Sequence, residues 1–221
     1  YQQSGKKVGV VSSKQSMQEK MLFEQKFRIS NPLLWDIESP HLYKAVTKVY
    51  VDNVLKDQYI TRFGCRSLRF DADKGFFLNE KPVKLQGVCM HHDLGPLGAA
   101  VNFRATERQM EMMKEMGVNA IRTSHNPPSP ELLQICDSMG LLVQVEAFDE
   151  WKYGKNANGY HVYFEKWAEK DLRNMIRRDR NHPSVIMWSI GNEIREQNKG
   201  EEGKEIARFL AEICREEDPT R

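Results

Sequence analysis

"SVIMWSIGNE", residues 184–193, is a short apolar run that ends in Gly191, Asn192 and Glu193. Seven residues of this kind, bounded by a Pro-bearing turn and a glycine, predict a buried strand over 184–190. The amide and the carboxylate then stand at its C-terminal mouth. Outward from this run, strands and helices alternate. On the N-terminal side a helix is predicted over 161–180, with Phe164, Trp167, Leu172, Met175 and Ile176 on one face. On the C-terminal side another covers 200–217. Further back, "LLVQVEA" (141–147) is a strand. It is preceded by a helix that Ser129 caps, with Pro130 at its first position and Gly140 at its end. "VNAIR" (118–122) is a strand, and the helix before it ends at Gly117 and is opened by a Thr106/Gln109 capping box. "GFFLNEKPVKLQGV" reads as a hairpin with Asn79 to Pro82 as its turn, leading into a first strand at 83–89.

Four strands each followed by a helix imply a parallel α/β sheet with right-handed crossovers. Strands this apolar suit a sheet buried on both faces. Two closures fit: an open doubly wound sheet, or a (β/α)₈ barrel. No glycine-rich phosphate loop follows the first strand, which weakens the nucleotide-binding version. A barrel needs about 250 residues, so the 71–221 segment has room for four of its eight units. The chain is expected to be a fragment cut at both ends.

The first 68 residues differ. Alternating runs at 22–29, 42–51, 54–63 and 66–70, with the loop "SNPLLWDIESP" between the first two, predict antiparallel strands. They are too few for a whole sandwich of about seven. Residues 1–68 are therefore expected to be the C-terminal part of an immunoglobulin-like β-sandwich, and 69–221 the N-terminal half of a barrel domain.

Composition excludes several classes. A net charge of +2 gives no footprint for nucleic acid, and the basic run "RNMIRRDRNH" (173–182) reads as a solvated helix face. No 18-residue apolar run exists for a membrane span. Cys65, Cys89, Cys136 and Cys214 lack metal-ligand spacing and read as reduced, mostly buried thiols. The start lacks an initiator Met and a signal core, so any targeting signal lies outside it. Localisation is open; for a bacterial source, a periplasmic or secreted protein is favoured.

In a barrel, function sits just beyond the C-terminal strand ends. There the chain places His91, His92 and Asp93; then Arg122, Ser124, His125 and Asn126; then Glu146, Asp149, Glu150 and Trp151; then Asn192 and Glu193. Acids, imidazoles, amides and one indole, without an evident Ser or Cys nucleophile, suit a sugar. His91, His92 and Asp93 do not suit a metal, because adjacent histidines on a strand point to opposite faces. Trp188, in mid-strand, reads as core, and His182-Pro183 as a structural turn.

Three stretches carry a resemblance: "GFFLNEKPVKLQGVCMHHD", "RTSHNPPSPELLQICDSMGLLVQVEAFDEW" and "RDRNHPSVIMWSIGNE". Over about residues 60–221 the chain resembles family 2 glycoside hydrolases, the β-galactosidases, β-glucuronidases and β-mannosidases. The resemblance implies a retaining exo-enzyme on β-linked sugars, with β-galactosidase preferred. It places the general acid/base at Glu193, where burial and a second carboxylate are expected to raise the pKa. It gives Asn192 the sugar 2-hydroxyl, and it makes His125, His91, Asp149 and Trp151 pocket residues, Trp151 as the stacking platform. Arg122 is expected to brace carboxylates. The nucleophile Glu lies on a later strand outside the chain, so the chain alone is expected to be inactive. Glu150 falls where some family members hold Mg²⁺, but the partner His is Lys152 here, so no metal and no cofactor are expected. Met90 stands where the family more usually has a polar residue, and Val145 replaces a common Asp. The expected partner is a β-linked oligosaccharide or glycoside; a homo-oligomer of the full-length protein is left open. Two rivals remain. A glycosidase acting inside polymers often shows Asn-Glu-Pro, where Ile194 stands. A non-catalytic carbohydrate-binding chain need not keep Asn192-Glu193.

Overall fold

The computed structural model describes residues 1–16 and 22–221. β1 (Tyr43–Val51) and β2 (Val54–Phe63) form an antiparallel hairpin. Asp52 and Asn53 close it at φ 48° and 62°, the left-handed pair that matches a two-residue turn to the twist of its strands. The alternating run at 22–29 is not a strand. Alternation yields a strand only where a neighbouring edge takes up the backbone hydrogen bonds. Here the run lies beside residues 9–13, with the Phe27 ring against Gly9 and Gln25 donating to Ser13 Oγ at 2.9 Å.

β3 (Leu68–Asp71), β4 (Gly75–Leu78) and β5 (Lys81–Pro82) make a separate antiparallel sheet. The 66–70 run therefore pairs forward with β4 and not with the β1–β2 hairpin. The reason is burial: Phe76 and Leu78 pack with Trp35 and Leu42 on Ala120, Leu142 and Ile186, at the N-terminal ends of the parallel strands. The turn is tighter than expected, only Asn79 and Glu80 (φ 51° and 62°).

The parallel sheet contains β6 (Gly87–His91), β7 (Ala120–Ser124), β8 (Leu142–Glu146) and β9 (Val185–Ser189), in that spatial order. The interleaved helices are α1 (Phe103–Glu115), α2 (Pro130–Met139) and α3 (His161–Asp179), with α4 (Glu201–Glu217) after β9. Spatial order equals chain order, so the described sheet has no reversal of the kind that defines a doubly wound fold. β6 starts later than the predicted 83–89. Val83 bonds back to Phe76, and the Asn119 side chain takes Lys84 O and Gln86 N at 2.9 and 2.8 Å, in place of a ladder.

The helix caps are mostly as read. Ser129 Oγ accepts from Leu132 N, and Gly140 ends α2 at φ 70°. α1 corrects its expectation: Asn102 is the N-cap, accepting from Ala105 N at 3.0 Å. Thr106 is buried inside that helix, and Gln109 donates to Asp93 O. Phe164, Leu172, Met175 and Ile176 of α3 pack on the sheet. The basic run is more than a solvated face, since Arg173 and Arg177 grip Glu217 at 3.0 and 2.6 Å and tie α3 to α4. His182 and Ser184 converge on Asp137 and fix the turn into β9. All four cysteines are free; Cys136 is buried, which pushes its thiol up, while Cys89 is exposed. Among the described residues no helix is long and apolar enough to cross a membrane.

Candidate active site

Strand alternation sorts the parallel sheet into two faces. Ile121, Val143, Val145 and Val185 pack against the helices. The opposite face carries Cys89 level with Arg122, and Glu146 level with Ser189 two residues further toward the C-terminal end, since Arg122 pairs with Gln144. The sheet is therefore not apolar on both sides. Its helix-free face is polar toward the C-terminal rim.

Glu146 is the hub of that face, and it is fully buried. Arg122 meets it with Nε at 2.8 Å and a second nitrogen at 2.9 Å. His125 Nδ1 lies 2.7 Å from Oε1, and Ser189 Oγ donates to Oε2 at 2.6 Å. A carboxylate out of water needs this many donors to remain tolerable. The same Arg122 nitrogen donates to Asn192 Oδ1 at 2.9 Å. Asn192 Nδ2 in turn donates to Asp149 Oδ1 at 3.0 Å. A guanidinium on one side and a carboxylate on the other dictate which end of the amide is oxygen.

Glu193 follows at φ 44° and is exposed. Among the described residues no hydrogen bond or ion pair engages its carboxylate. The expected burial is absent because Glu193 follows β9, the edge strand of the sheet. His91 ends β6, exposed, with its ring edge-on to His125 at 5.1 Å. His91, His125, Asn192 and Asp149 thus share one rim.

Trp151 departs from its expected role. Only 2% exposed, it donates its indole N–H to Ile190 O at 2.6 Å and lies against Phe164. A Cβ on Gly191 would come within 2.8 Å of that nitrogen, so the turn backbone covers the ring. The ring lies buried under the Ile190–Gly191 turn that leads into Asn192, where an open platform was expected. Glu150 is structural: it accepts from Lys155 N at 2.5 Å and from His161 N and Nδ1 at 2.9 and 2.8 Å. Burial pushes the Glu150 carboxyl up, but those donors outweigh it and hold it at about 2.

Lys155 escaped the sequence reading. Its Nζ bonds Asp149 Oδ1 at 2.9 Å and Asn192 O at 2.8 Å. Burial raises the Asp149 pKa, but Lys155 and Asn192 prevail and lower it. No periodicity marks a lysine in an irregular loop. Beside the rim, a cavity of about 520 Å³ lies between the β7–α2 loop and α3, lined by Asn126, Phe148, Tyr160 and Arg178 among others. Asp149 and Glu150 border it, whereas His125, Asn192 and Glu193 do not.

The family's sequence model described as "Glycosyl hydrolases family 2, TIM barrel domain" matches residues 71–221, and "Glycosyl hydrolases family 2" matches 1–66. The chain belongs to glycoside hydrolase family 2. Among family 2 proteins, it is 55% identical over 179 residues to the β-galactosidase BoGH2A of Bacteroides ovatus, covering 81% of this chain and 21% of that protein. It is 33% identical over 196 residues to a β-glucuronidase of Bacteroides fragilis, covering 87% of this chain and 28% of that one. A crystal structure of a family 2 member from Bacteroides cellulosilyticus matches with a TM-score of 0.84 at 47% identity, over 87% of this chain and 25% of the other. The chain spans 21–28% of the length of these relatives.

Proposed function

We propose that this family 2 chain is part of a retaining exo-glycosidase that removes terminal β-linked sugars, with Glu193 as general acid/base. One observation carries the reading. Asn192 is locked between Arg122 and Asp149, directly before a carboxylate with no structural partner among the described residues, at the C-terminal ends of consecutive parallel strands. A glutamate that served the fold would be bonded, as Glu146 and Glu150 are.

In the proposed reaction Glu193 protonates the departing glycosidic oxygen while a second carboxylate attacks the anomeric carbon. Glu193 then deprotonates the water that releases the sugar. Retention needs the two carboxyl groups about 5–5.5 Å apart. Glu146 and Glu150 are consumed by their own partners, so the nucleophile is assigned to a later strand, outside this chain. On this reading 69–221 supplies the first four βα units of a closed (β/α)₈ barrel, and 1–68 the end of an immunoglobulin-like sandwich. The exposure of Glu193 at an edge strand supports that division. Asn192 is assigned to the sugar 2-hydroxyl, with His125, His91 and Asp149 lining the pocket. β-Galactosidase is the preferred activity, because the relative with that name shares 55% identity against 33% for the β-glucuronidase.

The test is p-nitrophenol release from a panel of aryl β-glycosides by the complete gene product and by this 221-residue chain. The expected result is turnover by the complete protein only, fastest on the galactoside, and its loss in Glu193→Gln. Turnover by the short chain would place the nucleophile within it and overturn the half-site assignment.

A further inference from the structure

We propose that Lys155 is a positioning residue for the acid/base, acting through the Asn192–Glu193 peptide; this rests on the reading of Glu193 given above. A closed ring of bonds carries it. The Lys155 ammonium donates to Asn192 O at 2.8 Å and to Asp149 Oδ1 at 2.9 Å. That same Asp149 oxygen accepts from Asn192 Nδ2 at 3.0 Å. One cation thus holds Asn192 twice, directly by its carbonyl and through Asp149 by its side chain.

The carbonyl matters because it belongs to the peptide that leads into Glu193. Asn192 N donates to Phe148 O at 3.0 Å, so Lys155 supplies the second anchor. Glu193 itself sits at φ 44°, a left-handed conformation that a residue with a Cβ enters at a cost. Among the described residues nothing bonds its side chain. The backbone before it therefore sets the position of its Cα and the direction of its Cα–Cβ bond, from which the carboxylate reaches out.

The ammonium is not needed to fasten its own loop. Glu150 already holds Lys155 N and His161, and Glu196, itself fully buried, accepts from Tyr153 N at 2.9 Å. Gly159 lies so close to Glu150, and Gly154 so close to the His161 ring, that a Cβ fits at neither. The loop backbone is strapped at three points without the Lys155 side chain. A lysine gives up much rotamer freedom when it is fixed, and a pair with a carboxylate as open as Asp149, 38% exposed, returns little. The Lys155 side chain is only 21% exposed, and the one group it orders that the loop does not require is the Asn192–Glu193 peptide.

The test uses the complete gene product with two aryl glycosides of the preferred sugar: phenyl, a poor leaving group that needs protonation, and 2,4-dinitrophenyl, a good one that does not. In Lys155→Met, kcat/KM is expected to fall about tenfold or more on the phenyl glycoside and to stay within about twofold on the dinitrophenyl glycoside. Lys155→Arg should recover most of the loss. Lys152→Met, in the same loop and paired among the described residues with exposed Glu165, should match the parent. An equal loss on both substrates marks Lys155 as merely structural and overturns the proposal, as does no loss on either. If Lys155→Met does not fold, Lys155→Gln carries the same comparison. Glu193→Gln is run alongside. If it lacks the leaving-group selectivity, the acid/base reading fails; if it shows the selectivity and Lys155→Met does not, only the present inference fails.

Discussion

Arg122 reaches diagonally from β7 to Glu146 on β8 as a two-pronged ion pair, and the arginine's second nitrogen continues to Asn192. The two partners are unequally exposed, with Glu146 fully buried and Arg122 26% exposed. This asymmetry sets the cost of breaking the pair. Arg122→Met strands a buried carboxylate with only His125 and Ser189, and is expected to destabilise the complete protein by about 3–5 kcal/mol. Glu146→Gln leaves a cation that water can reach, and should cost clearly less. Denaturant unfolding of the two variants checks the order; equal losses would contradict the burial argument.

Glu150 makes a prediction about acid. Its folded pKa, about 2, lies below the ordinary 4.5, because donors from Lys155 and His161 outweigh the effect of burial. A depressed carboxyl stabilises the fold fully above its unfolded pKa, and that contribution fades as pH falls toward the folded value. Glu150→Gln should therefore melt lower than the parent at pH 6, with the gap closing between about pH 4.5 and pH 2. Melting curves across that window would show it. A gap that stays constant down to pH 2 would mean that Glu150's charge is not what secures the start of α3.

Two glycines separate backbone strain from steric contact. Gly117 and Gly140 both have positive φ, 88° and 70°. A Cβ on Gly117 meets nothing within 4 Å, whereas one on Gly140 would sit 2.2 Å from Ile37 O. Gly117→Ala should cost about 1 kcal/mol, the strain alone. Gly140→Ala should cost more, since the end of α2 must also move off the 36–38 segment. Matched losses in thermal melts would refute the close approach.

The βα elements were readable because their signals are local. Ser129, Pro130 and Gly140 each act within one turn of the helix they bound, and apolar strand runs need no partner to be recognised. What failed depends on partners. The alternation at 22–29 says nothing about whether a sheet edge is there to receive it. The run at 66–70 reads the same whether it joins the hairpin or β4, and only the burial of Phe76 and Leu78 decides. At the rim, strand-end chemistry singled out Asn192, His125 and Asp149, and the structure bonds Asn192 to Asp149 and His125 to Glu146. The exposure of Glu193 follows from β9 being an edge, which no motif states. Lys155 reaches Asn192 across 37 residues, a distance at which an irregular loop leaves no pattern.

Trp151 supplies the sharpest contrast between the two readings of one residue. A stacking platform would present its face to sugar, and its removal would raise KM with little effect on stability. The ring found here is enclosed by Phe164 and the Gly191 turn, with its N–H on Ile190 O. Trp151→Ala should therefore open a cavity and cost about 3–5 kcal/mol. Trp151→Phe, which keeps most of the volume but leaves the Ile190 carbonyl without its donor, should cost about 1–3 kcal/mol. Because Ile190 and Gly191 lead directly into Asn192, the Phe variant should also lose kcat more than it gains KM. Melting temperatures and steady-state kinetics on the same preparations test both parts. A stable Trp151→Ala protein with only a raised KM would restore the platform and overturn the buried role.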